Sequence, residues 1–230
     1  MPHSPVDPRW PKVLSLAVHE FRTPTTVVAG YIRMLLKERA GPIPDTQRRL
    51  LEEAEKSCGR LSALLTEMSD LSGLEAGTAT FNRAPVDLRT ALRDATASLP
   101  ELSDRPVAID LQTGEGPAMV EADPVRLRTV FAAVLTALRR ELITSTTLAV
   151  RERMVERHGQ ATSWTAIADP EQIATVMSAE EAALGPFDEW RGGCGLSLAV
   201  ARRVVEALGG RIWSPAADAK AGAVIALPLL

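Results

Sequence analysis

In "LSLAVHEFRTPTTVVAGY", residues 14–31, a histidine and a glutamate stand side by side, with Thr23 and Pro24 one helical turn further on. Imidazole exchanges a proton near neutral pH, and its unprotonated nitrogen is a good nucleophile. A neighbouring carboxylate can take that proton or fix the tautomer, so His19 and Glu20 are suited to group transfer. "HEFRT" also half-matches the zinc motif H-E-x-x-H, but Thr23 stands where the second ligand must be, so no metal site is expected. Pro24 removes an N–H and leaves the carbonyl of Glu20 without its helical partner, kinking or loosening the helix beside His19. In an ordinary helix interior that costs roughly 3 kcal/mol. Such costs collect at functional sites.

These residues need a helix to hold them. Leu14, Ala17, Val18, Phe21, Val28, Tyr31 and Leu35 recur at steps of three and four, which predicts one buried helix face. "AGPIPD" (40–45) ends the pattern and offers Asp45 as the N-cap of a second helix over about 46–74. That helix has Leu50, Leu51, Ala54, Cys58, Leu61, Leu64 or Leu65, Met68 and Leu71 on its apolar side. A lone helical hairpin buries too little surface to be stable. A second copy completes a four-helix bundle, so a homodimer is expected.

Composition narrows the rest. The 230 residues are 46% hydrophobic and 24% charged with a net charge of −3, the profile of a soluble globular protein with no pull toward nucleic acid or membrane. No run is long and apolar enough to span a bilayer, and "MPHSPVDPRW" lacks a signal-peptide centre. Cys58 and Cys194 lie in unrelated contexts, as expected of reduced thiols in a cytoplasmic protein.

After a linker ("GLEAGTATFNRAPVDLR") the texture changes. A helix over about 87–98 precedes strands "VAIDLQ" and "AMVEAD", then an amphipathic helix from Pro124 to about Leu142. "TTLAVRERMV" and "ATSWTAIAD" form a hairpin around "ERHGQA", which exposes His158. A glycine turn opens the helix "LSLAVARRVVEALGG", and a closing hairpin ends in "AGAVIALPL". This is an α+β pattern without regular βαβ alternation. Gly192, Gly193 and Gly195 before a helix would let backbone N–H groups face a phosphate at the positive helix end, or simply make an ordinary loop-to-helix turn. The four tryptophans are scattered and read as packing. Arg139–Arg140 and Arg202–Arg203 read as solvated helix faces.

"HEFRTP", preceded by an apolar turn and followed by "TTVVAGYIRML", closely resembles the H-box of two-component sensor histidine kinases, and the hairpin resembles their dimerisation and phosphotransfer domain. The resemblance implies that His19 is the phospho-acceptor and Glu20 its acid/base. Thr23 takes the position that helps place water for dephosphorylating a response regulator. The second half resembles the family's ATP-binding domain: "GPFDEWRGGCGLSLAVARRVVEALGGRIW" is similar to the F-box, the G2 glycine turn and the helix after it. Domains are expected at 1–76 (dimerisation and phosphotransfer), 77–86 (linker) and 87–230 (ATP-binding type, an α/β sandwich). The implied nucleotide contacts are Asp169, Gly193, Gly195 and Leu196.

Departures from the pattern matter more. Aligning "RLRTVFAAVLTALRRE" with the N-box helix places Ala133 and Ala137 where active relatives carry asparagines, one of which holds Mg²⁺. Alanine has no oxygen for a hard cation, and no asparagine follows Asn82 that could restore one. After Asp169, Pro170, Glu171 and Ile173 replace the flexible glycines of the G1 box.

Three functions are therefore carried forward. The first is phosphotransfer or phosphatase work between His19 and receiver-domain aspartates, with an impaired ATP site and no cofactor required. The second is an ATP- and Mg²⁺-dependent kinase core autophosphorylating His19. The third is a non-catalytic scaffold. The expected partners are a second copy and a response-regulator receiver domain docking near Arg22, Thr25 and Thr26. A separate sensor protein or hybrid kinase would supply the input.

Overall fold

A computed structural model describes residues 9–102, 106–142, 145–215 and 222–230. The chain divides into two compact units, one through Ala79 and one from Thr80.

The first unit is a helical hairpin, α1 (Trp10–Leu36) packed on α2 (Asp45–Glu75). Between them the chain turns through Glu38 and Gly41, both at positive φ, and Arg48 of α2 donates to the carbonyl of Leu36 and pairs with Glu38. At the other end the Ser72 hydroxyl donates to the carbonyl of Pro11 at 2.8 Å. On α1 the buried residues are Leu14, Val18, Thr25 and Ile32, close to a seven-residue repeat that follows one neighbouring helix. Phe21, Val28 and Tyr31, expected in the buried face, are exposed in the single chain, because one partner helix covers only part of the apolar arc. Of Leu64 and Leu65, Leu65 is the buried one. Asp45 is the first residue of α2 and not its cap; Pro44 holds the cap position with no side-chain hydrogen bond.

The second unit opens with β1 (Ala84–Asp87), inside the expected linker, and α3 (Leu88–Ala97). Then come β2 (Ala108–Gln112), β3 (Met119–Ala122) and α4 (Pro124–Glu141). Asp87 caps α3 and Asp123 caps α4, each accepting backbone N–H groups that the first turn leaves unpaired. The rest comprises β4 (Thr147–Arg157), β5 (Gln160–Ala168), α5 (Ile173–Ser178), β6 (Gly185–Pro186), α6 (Ser197–Ala207), β7 (Arg211–Ser214) and β8 (Gly222–Pro228). β1 and β3 form an antiparallel pair. The main sheet has the order β2-β4-β5-β8-β7-β6, antiparallel except for the β2–β4 pair. The fold is thus α+β, a helical hairpin followed by an α/β sandwich.

Alternation along the strands sorts the two faces of this sheet. On the inner face Arg89 of α3 reaches Glu152 of β4 in an ion pair with both side chains buried, Nε to Oε2 at 2.6 Å. Glu152 also accepts from the Ser163 hydroxyl and from the N–H of Gly114, and Arg89 donates to the carbonyls of Glu115 and Gly116. The pair is therefore hydrogen-bonded on both sides, the condition under which a buried charge is tolerated. α4 packs between α3 and α6. On the outer face Trp164, Ala166, Ala168, Val224 and Ala226 pack with Ile173 and Val176 of α5.

Candidate functional site

His19 and Glu20 project from the middle of α1, their side chains 81% and 70% exposed. Nδ1 of His19 lies 3.4 Å from Oε1 of Glu20. With the proton on Nδ1 it donates to the carboxylate, which leaves Nε2 as the unprotonated, solvent-facing nitrogen. Thr23 is exposed one turn beyond His19, so the structure brings the three expected residues to neighbouring positions on the helix. α1 continues through Pro24 as one helix. The next two residues turn their hydroxyls back onto the ladder: Thr25 donates to the carbonyl of Phe21 at 2.7 Å and Thr26 to that of Arg22 at 2.8 Å. The apolar side chains Leu16, Phe21, Val27, Tyr31 and Met34 are exposed on the same helix.

In the second unit the glycine turn lies directly on α4. A Cβ built at Gly192 would fall 2.9 Å from the Cβ and 3.1 Å from the carbonyl oxygen of Ala137, which is fully buried. Gly192, Gly193 and Gly195 have φ of 72°, 57° and 65°, a left-handed conformation that other residues adopt at a cost. The turn is tied to the last turn of α4. Arg191 grips Glu141 through Nε at 3.0 and 2.8 Å from the two carboxylate oxygens and through Nη2 at 2.5 Å. Its Nη1 donates to the carbonyl of Gly222 at 3.0 Å, and Arg140 donates to that of Gly193 at 3.3 Å. Leu196 precedes α6 and gives it no side-chain cap, while the Ser197 hydroxyl donates to the carbonyl of Cys194. Ala133 is half-buried on α4.

Asp169 is buried where β5 ends, and its hydrogen bonds serve its own turn. Oδ1 accepts the N–H of Glu171 at 3.0 Å, and its carbonyl accepts from Gln172 and Ile173 to start α5. The segment after Asp169 packs onto the outer face of the sheet through Ile173 and Val176.

Arginines expected on solvated faces are engaged, by Glu206 within α6 and by partners outside the helices at Glu189 and Pro100. Arg139 is buried and donates to the carbonyl of Pro100, and Arg202 and Arg203 share Glu189 and Glu206. Two of the scattered tryptophans meet: Trp164 and Trp213 have ring centroids 5.5 Å apart. The pairing of Glu141 with Arg191 carried no sequence signal, since the two stand 50 residues apart. Among the described residues no three His, Cys, Asp or Glu side chains are grouped to hold a metal ion, and no helix is long and apolar enough to cross a membrane.

Residues 12–77 belong to the His Kinase A (phospho-acceptor) domain family, and the chain has the sequence and fold of a two-component sensor kinase transmitter core. It is 30% identical over 204 residues to the circadian input-output histidine kinase CikA of Synechococcus elongatus, a match covering 86% of this chain and 27% of that protein. It is 27% identical over 202 residues to the sensor protein GacS of Pseudomonas syringae pv. syringae, covering 84% of this chain and 22% of that one. The chain thus spans about a quarter of the length of these relatives. Among solved structures it is similar to full-length ShkA in complex with AMPPNP, with a TM-score of 0.68 at 22% identity, covering 95% of this chain and 45% of that one. It is also similar to the Acinetobacter baumannii histidine kinase AdeS, with a TM-score of 0.56 at 18% identity, covering 92% and 96%.

Proposed function

We propose that this two-component signalling protein works by phosphotransfer, with His19 exchanging a phosphoryl group with receiver-domain aspartates and with little or no use of ATP. The observation that carries this reading is the seat of Gly192 on Ala137. The small side chain on α4 lets the glycine turn close where a nucleotide-binding relative needs room and an oxygen ligand. Alanine at 133 and 137 does not fit a Mg²⁺-nucleotide, and one oxygen of Asp169 accepts an N–H of its own turn.

The chemistry at His19 needs no metal from this chain. Nε2 attacks the phosphorus of an aspartyl phosphate; the Nε2–P bond forms, the aspartate O–P bond breaks, and the aspartate leaves as a carboxylate. Glu20 holds the Nδ1 proton and offsets the positive charge on the imidazolium. The reverse sequence passes the group to a second receiver, and Thr23 is placed to orient water when the outcome is hydrolysis. The exposed apolar side chains of α1 are suited to a second copy, giving a four-helix bundle in the cytoplasm. The working divisions are 1–76, 77–86 and 87–230. The input would be a separate sensor or hybrid kinase.

The test compares the wild-type protein with His19→Ala, using radiolabelled ATP and Mg²⁺ in one arm and a radiolabelled phospho-receiver domain in the other. His19-dependent label from the receiver alone is expected. His19-dependent label from ATP would overturn the reading in favour of the kinase. The three left-handed glycines ahead of α6, with open space beside Gly193, favour that second reading. Label from neither donor would move the protein to a scaffold.

A further inference from the structure

On the outer face of the sheet, near the β4–β5 turn, lies a cavity of about 410 Å³. Its lining includes Arg157, His158, Arg211, Glu181 and Trp213. Three cationic or titratable side chains from two separate segments converge there on one carboxylate. Arg157 Nη1 lies 3.5 Å from Glu181 Oε1, and His158 Nε2 and Arg211 Nη1 lie 3.9 and 4.0 Å from Oε2. None of the three makes a hydrogen bond to it, and Nη1 of Arg157 is buried with no hydrogen-bond partner. A buried guanidinium donor without a hydrogen bond is costly even beside a carboxylate. It is also held in place, because the Arg157 guanidinium stacks on the Trp164 ring at 3.8 Å and Trp164 leans on Trp213.

We propose that this cavity binds a small organic phosphate, a phosphomonoester whose oxygens take the donors of Arg157, Arg211 and His158 and whose body lies against Trp213. Glu181 shows why a tetrahedral oxyanion suits the site better than a carboxylate. Its two oxygens already sit among these groups and satisfy none of them, whereas a phosphate presents three terminal oxygens in three directions. Arg211 and His158 are exposed, with side-chain exposures of 73% and 85%, and can swing onto the ligand while Arg157 stays fixed. The volume exceeds that of phosphate itself, which leaves room for an organic group. Glu181 is then a competitor that occupies the anion position when no ligand is present. The cavity lies across the sheet from the Arg89–Glu152 pair and α3, so its occupation is separate from the glycine turn on α4.

The probes are phenyl phosphate, inorganic phosphate and benzoate, titrated into the full chain by calorimetry. Phenyl phosphate is expected to bind, inorganic phosphate more weakly, and benzoate least. Arg211→Gln should weaken phenyl phosphate about tenfold, the scale of one lost charge-assisted donor. Glu181→Gln should tighten it by removing the competing charge, a gain that a purely structural Glu181 would not produce. No heat with phenyl phosphate up to about 10 mM, equal affinity for benzoate, or weaker binding in Glu181→Gln would each overturn the proposal.

Discussion

Gly192 rests on Ala137 so closely that position 192 has no room for a side chain: a Cβ there would stand 2.9 Å from the alanine methyl. The contact joins the glycine turn ahead of α6 to α4 and fixes how closely the two approach.

Ala137→Asn is therefore expected to destabilise the second unit by about 1–3 kcal/mol through overpacking and a buried amide. It is not expected to confer nucleotide binding. Urea unfolding and titration with a fluorescent ATP analogue check the two halves. Tight nucleotide binding by this single variant would show that the turn yields easily.

Arg191 and Glu141 hold the same turn from its side, with side chains 14% and 22% exposed. Glu141→Ala leaves the guanidinium with only the Gly222 carbonyl and the Ser214 hydroxyl. A loss of about 2 kcal/mol is expected, between the values for surface and buried pairs. Hydrogen exchange at residues 192–195 should quicken in this variant while exchange in β5 stays slow.

Asp87 and Asp123 set the acid limit of the second unit. Burial by itself would raise both carboxyl pKa values, yet both are held below the ordinary value. At Asp87 the Thr90 hydroxyl and the N–H groups of Ala118, Arg89 and Thr90 do this; at Asp123 the N–H groups of Arg126, Asn82 and Val125 do, with help from the Arg126 charge. A carboxyl with a lowered folded pKa contributes stability that is complete above its unfolded value of about 3.9 and lost as pH falls through the folded one. Stability should be level above about pH 5 and fall below about pH 4. Asp123→Asn keeps a capping oxygen that cannot be protonated, so it should flatten part of that fall. Asp123→Ala should cost about 1 kcal/mol at neutral pH. Melting temperatures from pH 2.5 to 7 decide this.

Phe21 and Tyr31 are 57% and 63% exposed on α1. Tyr31→Glu should shift the chain from dimer to monomer in sedimentation experiments. His19→Ala, at a highly exposed position, should leave assembly intact and change stability by no more than about 0.5 kcal/mol. A wild-type chain that sediments as a monomer, or a Tyr31→Glu protein that sediments as a dimer, would overturn this expectation.

Much of this chain was legible because its signals are local. The apolar steps of α1 and α2, Pro124 at the start of α4 and the hairpin turning at His158 and Gly159 all depend on neighbours within a helical turn or a strand pair. The His19, Glu20 and Thr23 constellation is of the same kind, since three residues within five positions of one helix need no further fold to bring them together. α1 also shows where local reading stops. The periodicity marks Phe21, Val28 and Tyr31 as apolar-face residues, but α2 covers only the stripe around Leu14, Val18 and Ile32.

Tertiary structure decided the rest, because it depends on register and packing between segments far apart in sequence. Asp169 is a turn former because α5 packs onto the outer face of the sheet, a choice made by the apolar surface of Trp164, Ala166 and Val224. Trp164 meets Trp213 only once β5, β8 and β7 pair in register. Arg89 finds Glu152 across 63 residues and Arg191 finds Glu141 across 50. Ala137 and Gly192 are unremarkable singly, and only helix–turn packing makes Ala137 a reason that residue 192 must be glycine. Periodicity and capping report what a residue does for its own element; which distant charge or methyl group it meets is settled by how the elements pack.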